Sequence, residues 1–418
     1  MAVTDILVIG GGMAGMSAAL EAAEAGYGAI LIEREAFLGG RVARMHRFFP
    51  KLCPPSCGLE LYFRRIKTNP RVSFYTQAQV KQVAGRAGDF TVTVETSPRK
   101  VVEEKCTACG ECVKVCPVER NDDFNYGVGK TKAIYLPHVM AMPPKYVIDW
   151  QACRGAACGE CVKACPYGAI DLDMKPETHQ FRVGAIVMAT GWQPYDATKL
   201  VNWGFGRFPN VVTNVMFERL AAVDGPTQGR ILRPGDGKEI RSIAFVQCAG
   251  SRDENYLPYC SAVCCMASLK QVTYVREQYP EAQVHMFFMD VRSPGRYEDF
   301  YRKVANDPLV KVVRGKVAKI EQDSSSGDLL IEADDTIYGG KLRARVEMAV
   351  LATGTVPTDG KSALPGLDLA HDQYGFLLAD GVPGIHPAGV AKRPMDVSGS
   401  VRDGVGAALL AIQGLVEG

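Results

Sequence analysis

Short apolar runs without polar interruption punctuate the chain. Ile6 to Ile9 and Ala29 to Ile32 are unbroken, and runs of this length between turn signals read as buried strands of a parallel sheet. Similar strands precede Ala189-Thr190-Gly191 in FRVGAIVMATGWQP and Ala352-Thr353-Gly354 in VEMAVLATGTVP, and another spans Ser242 to Gln247. Between Val72 and Val94 the pattern changes to alternation (VSFYTQ, FTVTVET), which predicts a small β meander with one face in water. A helix is expected from about Met13 until Gly26-Tyr27-Gly28, and another from near Val401, capped by Ser398 or Ser400.

The first strand, helix and second strand enclose a specific chemistry. Gly10, Gly12 and Gly15 fall on the G-x-G-x-x-G spacing. The helix's first turn, through Met13 and Ala14, presents free N–H groups and a positive dipole end to a pyrophosphate. Glu33, followed by Arg34, closes the second strand, where a carboxylate accepts the ribose hydroxyls of an adenosine. A lone glycine fingerprint is weak, whereas strand, fingerprint, helix, strand and acid in order point to a bound dinucleotide rather than to an empty unit of the same fold.

Composition narrows the classes. The chain has 418 residues, and 47% of them are hydrophobic, enough for two or three packed domains. Its 48 Lys and Arg against 46 Asp and Glu create no field for nucleic acid or an anionic membrane. No apolar run approaches the ~18 residues of a membrane span. With the first strand starting by residue 5, no room is left for an export signal. The expectation is a cytoplasmic protein that meets a membrane only through partners.

Twelve of the 14 cysteines form three groups of four. CTACGECVKVCP holds Cys106, Cys109, Cys112 and Cys116, and CRGAACGECVKACP holds Cys153, Cys158, Cys161 and Cys165. Tandem runs of this kind mark a two-cluster ferredoxin, in which the last cysteine of each run ligates the other run's [4Fe–4S] cluster. The expected sets are therefore Cys106, Cys109, Cys112 and Cys165, and Cys153, Cys158, Cys161 and Cys116. A zinc module would lack the fourth cysteine and its proline. The interval 121–150 between the runs is longer than a minimal ferredoxin needs and reads as a docking surface or an extended connection. Cys53 and Cys57, in KLCPPSCG with two prolines stiffening the loop, read as shared ligands, a redox pair or plain buried thiols.

The two Ala-Thr-Gly strands resemble the links by which flavoproteins with two dinucleotide-binding domains pass to and from a second domain, which would normally bind a nicotinamide nucleotide through its own glycine fingerprint. Here Ser242 to Gln247 is followed instead by Cys248-Ala249-Gly250-Ser251-Arg252. Cys260 and Cys264 are expected on one helix face with Cys265 beside them, and Cys248 completes four thiolates for a third cluster. Buried structural cysteines are the alternative. Neither NADH nor NADPH is expected to reduce such a protein.

Several segments resemble known families. Gly39-Gly40-Arg41 resembles the second signature of flavoproteins with two dinucleotide-binding domains, where the loop packs under the flavin. GGGMAG, CTACGECVKVCP, FVQCAGSRDENYLPYCSAVCCMASLKQ and GVAKRPMDVSGSVRDG together resemble the flavin subunit of heterodisulfide reductases over essentially the full length. The chain ending soon after the closing helix, GPTQGRILRP and the cysteine segment look especially like the corresponding subunit of the quinone-interacting membrane-bound oxidoreductases of sulfate-reducing bacteria.

The resemblance implies an α/β, thioredoxin-reductase-like fold with an inserted ferredoxin domain. The implied segments are a flavin domain at 1–98, 181–205 and 346–418, the ferredoxin at 99–180 and a degenerate nucleotide-type domain at 206–345. It implies FAD and three [4Fe–4S] clusters. Contacts to FAD would come from Gly10, Gly12, Met13, Ala14, Gly15, Glu33, Arg34, Gly39, Gly40, Arg41, Ala189, Thr190, Gly191, Gly354, Gly389, Ser398, Ser400 and Val401. Gly389-Val390 replaces the family's usual Gly-Asp there. Lys270 would face the flavin N5, the alternative being a solvated lysine on an exposed helix face. The implied partners are a second flavin subunit, a membrane cytochrome subunit that reaches the menaquinone pool, and adenylylsulfate reductase. The rival readings are a flavin subunit for electron bifurcation of the heterodisulfide reductase type, and a scaffold that holds FAD for structure alone.

Overall fold

The structure is a computed structural model that describes residues 5–49, 51–358, 364–379 and 381–417. The chain forms two compact units: one runs to Arg44, then over Phe48–Trp192 and from Pro357 onward, and the other comprises Met45–Arg47 and Gln193–Val356.

The first unit begins with β1 (Ile6–Ile9), α1 (Met13–Glu24) and β2 (Ala29–Ile32), then α2 (Pro55–Thr68) and β3 (Val72–Tyr75). Next come β4 (Ala78–Arg86), β5 (Asp89–Thr96), the cysteine-rich insert with its short helices α3 (Glu111–Lys114) and α4 (Glu160–Ala164), β6 (Glu177–Val183) and β7 (Ala185–Met188). In the second unit, β8 (Val211–Thr213) and α5 (Asn214–Ala221) lead to β9 (Ser242–Ala249), α6 (Cys264–Gln278), β10 (Gln283–Phe288), α7 (Tyr297–Ala305) and β11 (Val310–Arg314). There β12 (Val317–Gln322), β13 (Leu329–Asp334) and β14 (Lys341–Val346) precede β15 (Met348–Thr353). The chain ends, back in the first unit, with β16 (Ile385–Pro387) and α8 (Val397–Glu417).

Each unit is built on a five-stranded parallel sheet, in the order β16-β7-β1-β2-β3 in the first and β8-β15-β9-β10-β11 in the second. The apolar runs are the central strands, and β1, β2 and β7 are buried at every residue, as two-sided coverage requires. The expected meander differs in its first member: VSFY is the edge strand β3, paired in register with β2. None of its four side chains is fully buried and Ser73 is exposed, so the run lacks the unbroken apolar pattern of β1, β2 and β7. The meander consists of β4, β5 and β6, with Glu177 opposite Thr96. The insert therefore leaves and re-enters through neighbouring strand ends.

The interval 121–150 is more than a connection. It forms antiparallel pairs Glu119–Asn121 with Lys130–Lys132 and Ile134–Tyr135 with Val147–Ile148. Its Phe124 and Ala141 are buried in the same core as Phe37, Leu38 and Ala18 of the first unit. Met142 accepts a backbone hydrogen bond from Leu38 at 2.9 Å. Much of it is thus committed to the interior rather than free as a docking face.

Two further expectations are corrected. Pro55 opens α2, so Cys57 lies exposed in a helical first turn while Cys53 stays in the loop before it, bridged to Phe48. The closing helix starts at Val397, one turn before Val401, and Asp396 rather than Ser398 or Ser400 caps it, accepting from the Gly399 N–H at 2.6 Å.

Candidate functional site

At the end of β1 the glycines do three different things. Gly10, at φ +107°, has no space for a side chain: a Cβ would stand 2.2 Å from the Ala189 carbonyl oxygen. A Cβ on Gly15 would stand 1.8 Å from the Gly10 oxygen, so its absence seats α1 against the strand. Gly12, the N-cap of α1, faces open space, with only the Gly40 Cα 4.0 Å from where its Cβ would be. No side chain caps α1, leaving the first-turn N–H groups of Met13, Ala14 and Gly15 for an anion.

Glu33 is 8% exposed, and its carboxylate accepts the Gly11 N–H at 2.6 Å and the Glu35 N–H at 2.7 Å. Burial pushes its carboxyl up to about 7, against those hydrogen bonds. Donated ribose hydroxyls would stabilise its ionised form. Arg34 beside it is exposed.

The surrounding loops close the frame. Gly39 donates to the Gly11 carbonyl at 2.8 Å, and Gly40 lies so close to Gly12 that a Cβ would be 2.9 Å from its Cα. Arg41 donates to the Trp192 carbonyl at 3.0 Å and to the Tyr126 hydroxyl at 3.1 Å. Ala189 pairs with Ile9, Gly191 turns at φ +71°, and the Thr190 hydroxyl is buried without a partner. Gly389, at φ +65°, abuts Ala14, and its N–H donates to Asp403 of α8 at 2.7 Å, with Lys392 on the other carboxylate oxygen. An open glycine cradle, a ribose-type carboxylate and an orphaned threonine hydroxyl fit an FAD.

The insert repeats one local geometry. Gly110 and Gly159, both left-handed, start α3 and α4, and each helix carries a Glu–Lys pair three apart, at 2.7 and 2.8 Å. Cys106 and Cys153 begin the two runs with equivalent backbone bonds to Val102 and Asp149. The extra residues of the second run form one tight turn over Gly155–Ala157. Burial pushes the Cys112 thiol up to about 12, with Cys106, Cys165 and Cys109 the charges around it, while Cys161 is raised by burial and by Cys153 and Cys116. The last cysteine of each run thus lies beside the thiols of the other, as crossed ligation requires.

In the second unit, β9 ends in a register shift between Val246 and Ala249, and Cys248 sits there at φ +56°. Residues 250–263 form a loop, and α6 begins only at Cys264, so Cys260 lies in that loop and not on a helix face with Cys264. The four thiols still converge. Burial raises Cys264, with Cys248, Cys265 and Cys260 adding to the shift, and burial pushes Cys248 up to about 11. Cys264 donates to the Thr353 carbonyl at 3.6 Å and Cys265 to the Asp290 carbonyl at 3.9 Å. Among the described residues no three His, Cys, Asp or Glu are spaced for a single metal ion. A four-iron cluster asks for wider spacing, since each thiolate holds its own iron, and buried thiols become tolerable thiolates only on such a centre.

Gly354 packs against this loop: its Cβ would meet the Ser251 and Ser261 hydroxyls at 2.2 and 2.9 Å. Those hydroxyls bond each other at 3.0 Å, and Ser261 accepts from the Thr355 N–H. Lys270 is 4% exposed, not a solvated lysine. Its ammonium donates to the Arg47 carbonyl at 2.5 Å and pairs with Glu218 at 3.0 Å. Gln271 and Tyr274 also hydrogen-bond Glu218, at 2.7 and 3.3 Å. Sequence reading missed Glu218, Ser261 and Asp403, whose partners lie too far along the chain to leave a local pattern. It also missed Gln247, whose amide is buried with both ends unpartnered. Such an orphan costs about 1–3 kcal/mol.

Fold and site define a class: a two-domain, thioredoxin-reductase-like FAD oxidoreductase with a ferredoxin module. Thioredoxin reductases of T. acidophilum and Lactococcus lactis share the fold at TM-scores of 0.54 and 0.55, over 98% and 99% of both chains, with 14% and 13% identity. The FAD dependent oxidoreductase family matches residues 5–53 and the 4Fe-4S binding domain residues 99–119. More particularly, the chain is similar in sequence to heterodisulfide reductase A subunits. It is 39% identical over its whole length to the second iron-sulfur A subunit of the CoB–CoM heterodisulfide reductase of Methanopyrus kandleri. It is 36% identical over 99% of its length to the A subunit of the H2:CoB-CoM heterodisulfide, ferredoxin reductase of Methanothermobacter marburgensis. It spans 65% and 64% of those two relatives. No helix among the described residues is long and apolar enough to cross a membrane.

Proposed function

We propose that this chain is the flavin and iron–sulfur subunit of a quinone-interacting membrane-bound oxidoreductase, with one FAD and three [4Fe–4S] clusters. It would pass electrons between the menaquinone pool and adenylylsulfate reductase. Its companions would be a second flavin subunit, and a membrane cytochrome subunit that docks it to the inner membrane face. Bound FAD would supply exchange between two-electron and one-electron chemistry. Gly10, Gly12, Gly15 and Glu33 would hold its adenosine diphosphate half. Gly39, Gly40, Arg41, Thr190 and Gly389 would frame the rest. The ligand sets are Cys106, Cys109, Cys112 and Cys165; Cys153, Cys158, Cys161 and Cys116; and Cys248, Cys260, Cys264 and Cys265.

The observation that carries this reading is the convergence of four thiols at the end of β9 and the start of α6, where a nicotinamide fingerprint would otherwise stand. Lys270, six residues into the same helix, is the residue assigned to the flavin N5, with Glu218 positioning it. The names of the homologues support a second reading, a heterodisulfide-reductase-type subunit that bifurcates electrons.

Iron analysis of the purified chain should give about twelve irons per flavin; about eight would remove the third cluster. Excess NADH should leave the flavin absorbance unchanged, and prompt bleaching would show that β9 and α6 have been misread. Isolation from the native membrane fraction separates the two complexes. Co-purification of a cytochrome, with reduction by a menaquinol analogue, supports the first, whereas reduction only by a low-potential donor together with a second acceptor supports the other.

A further inference from the structure

Gln247 stands immediately before Cys248 in the central strand of the second sheet, between β15 and β10. Phe245, two residues earlier, meets Phe217 of α5 edge-to-face at 5.6 Å. Gln247 itself lies within the register shift between Val246 and Ala249, where strict alternation ends. α6 covers the face of Phe245 too, since Gln271 ties it to the Asn214 carbonyl at 2.9 Å and to Glu218.

The first turn of α6 straddles the end of β9. Cys264 reaches the Thr353 carbonyl at the end of β15, and Cys265 reaches the Asp290 carbonyl just beyond β10. β9 runs between those two strands, so the residues at its end, Gln247 and Cys248, lie at the foot of that turn. Gln247 is only 6% exposed, and neither its Nε2 nor its Oε1 has a partner among the protein atoms. A cleft with room for about one water molecule, walled also by Val246, Phe287 and Trp203, lies beside Gln247 and Cys248.

We infer that the Gln247 amide N–H donates a hydrogen bond to a sulfur of the third cluster and raises its reduction potential. The inference rests on the proposed cluster at Cys248, Cys260, Cys264 and Cys265. Sulfur acceptors gain negative charge on reduction, and a donor fixed against them favours the reduced form. Gln247 thereby positions the cluster's potential without ligating it.

The test is an EPR-monitored redox titration of the full-length holoprotein and of Gln247→Leu, with iron counted first. With iron retained, the third cluster's oxidised-to-reduced ratio at the wild-type midpoint should rise roughly tenfold, about 59 mV lower for a one-electron couple. The two ferredoxin clusters should not move. An unchanged midpoint with full iron overturns the inference and leaves the cluster reading standing. Should Gln247→Leu lose the cluster, wild-type protein labelled with 15N-glutamine decides. A 15N coupling on the third cluster's signal supports the bond, and its absence overturns it. Wild-type iron near eight per flavin would overturn the cluster reading itself, and the inference with it.

Discussion

The two units hold the same strand–helix–strand arrangement and use its apex in opposite ways. In the first, β1 passes through Gly10, Gly12 and Gly15 straight into α1, and the carboxylate after β2, Glu33, accepts backbone N–H groups beside an open cradle. In the second, Cys248 is the penultimate residue of β9, a loop of residues 250–263 intervenes, and α6 opens on Cys264 and Cys265. The carboxylate beyond β10, Asp290, is taken by Arg252. A helix start stripped to glycine suits a phosphate, and one armed with thiols would, on the proposed function, take iron. The sheet beneath constrains neither choice, because both chemistries sit on residues at or beyond the strand ends.

The strongest test of this contrast is to fill one apex and leave the other. Gly15→Val would drive a side chain into the Gly10 carbonyl oxygen, 1.8 Å from the Cβ position. A loss of more than about 4 kcal/mol is expected, with FAD absent from the purified protein while iron at the second unit persists. Cys264→Ser should do the converse, keeping FAD and losing the third cluster's iron. Loss of both cofactors in either variant would show that the two apices do not act separately.

A smaller effect is expected from Lys270→Met, which leaves Glu218 buried without its cation. Breaking such a pair costs about 3–5 kcal/mol, and Lys270→Met combined with Glu218→Gln should recover part of it in thermal unfolding. If Lys270 serves the flavin as proposed, the double variant should also show a flavin potential lowered by about 30–65 mV for two electrons, the equivalent of one charge-assisted hydrogen bond of about 1.5–3 kcal/mol. A potential that stays put would make the pair purely structural.

The mildest test is pH. Glu33 is pushed up to about 7 by burial, from an ordinary value of 4.5. An acid raised on folding stabilises the FAD-free protein fully below about 4.5 and loses that contribution as pH rises through about 7, a span of about 3 kcal/mol. Because ribose hydroxyls favour the ionised carboxylate, FAD affinity should rise toward pH 7 and then level off, and Glu33→Gln should flatten both profiles. An unchanged profile in that variant would take Glu33 out of the ribose site.

How much of this was legible depended on whether the signal was local. β1, α1, β2 and Glu33 were readable because glycine spacing and apolar runs act within thirty-odd residues. The cysteine runs were readable because ligand geometry fixes their intervals. VSFY misled because this edge strand of a parallel sheet, like a meander strand, lacks an unbroken buried apolar run. The cap of α8 misled because Asp396, Ser398 and Ser400 are all capping residues, and only the fold shows which one the helix uses. Lys270 was singled out by its position, but its partners Glu218 and the Arg47 carbonyl come from segments 52 and 223 residues away in sequence. The Cys260 to Cys264 spacing matches a helix, yet Cys260 remains in the loop, held near the other thiols by Ser261 and its neighbours.

The insert's share in the first unit's core links metal supply to flavin retention. Phe124 meets Phe37 edge-to-face at 5.5 Å, and Met142 receives the Leu38 amide, only a few residues after Glu33. Iron–sulfur modules fold with their metal, so a chain synthesised under iron starvation would leave this wall of the adenosine site unbuilt. It should emerge colourless and protease-sensitive near Phe37 even with FAD in excess, and become competent for the flavin only after cluster assembly. Maturation would then run in one order, iron first and flavin second, so that no flavin is exposed on a protein lacking its wires.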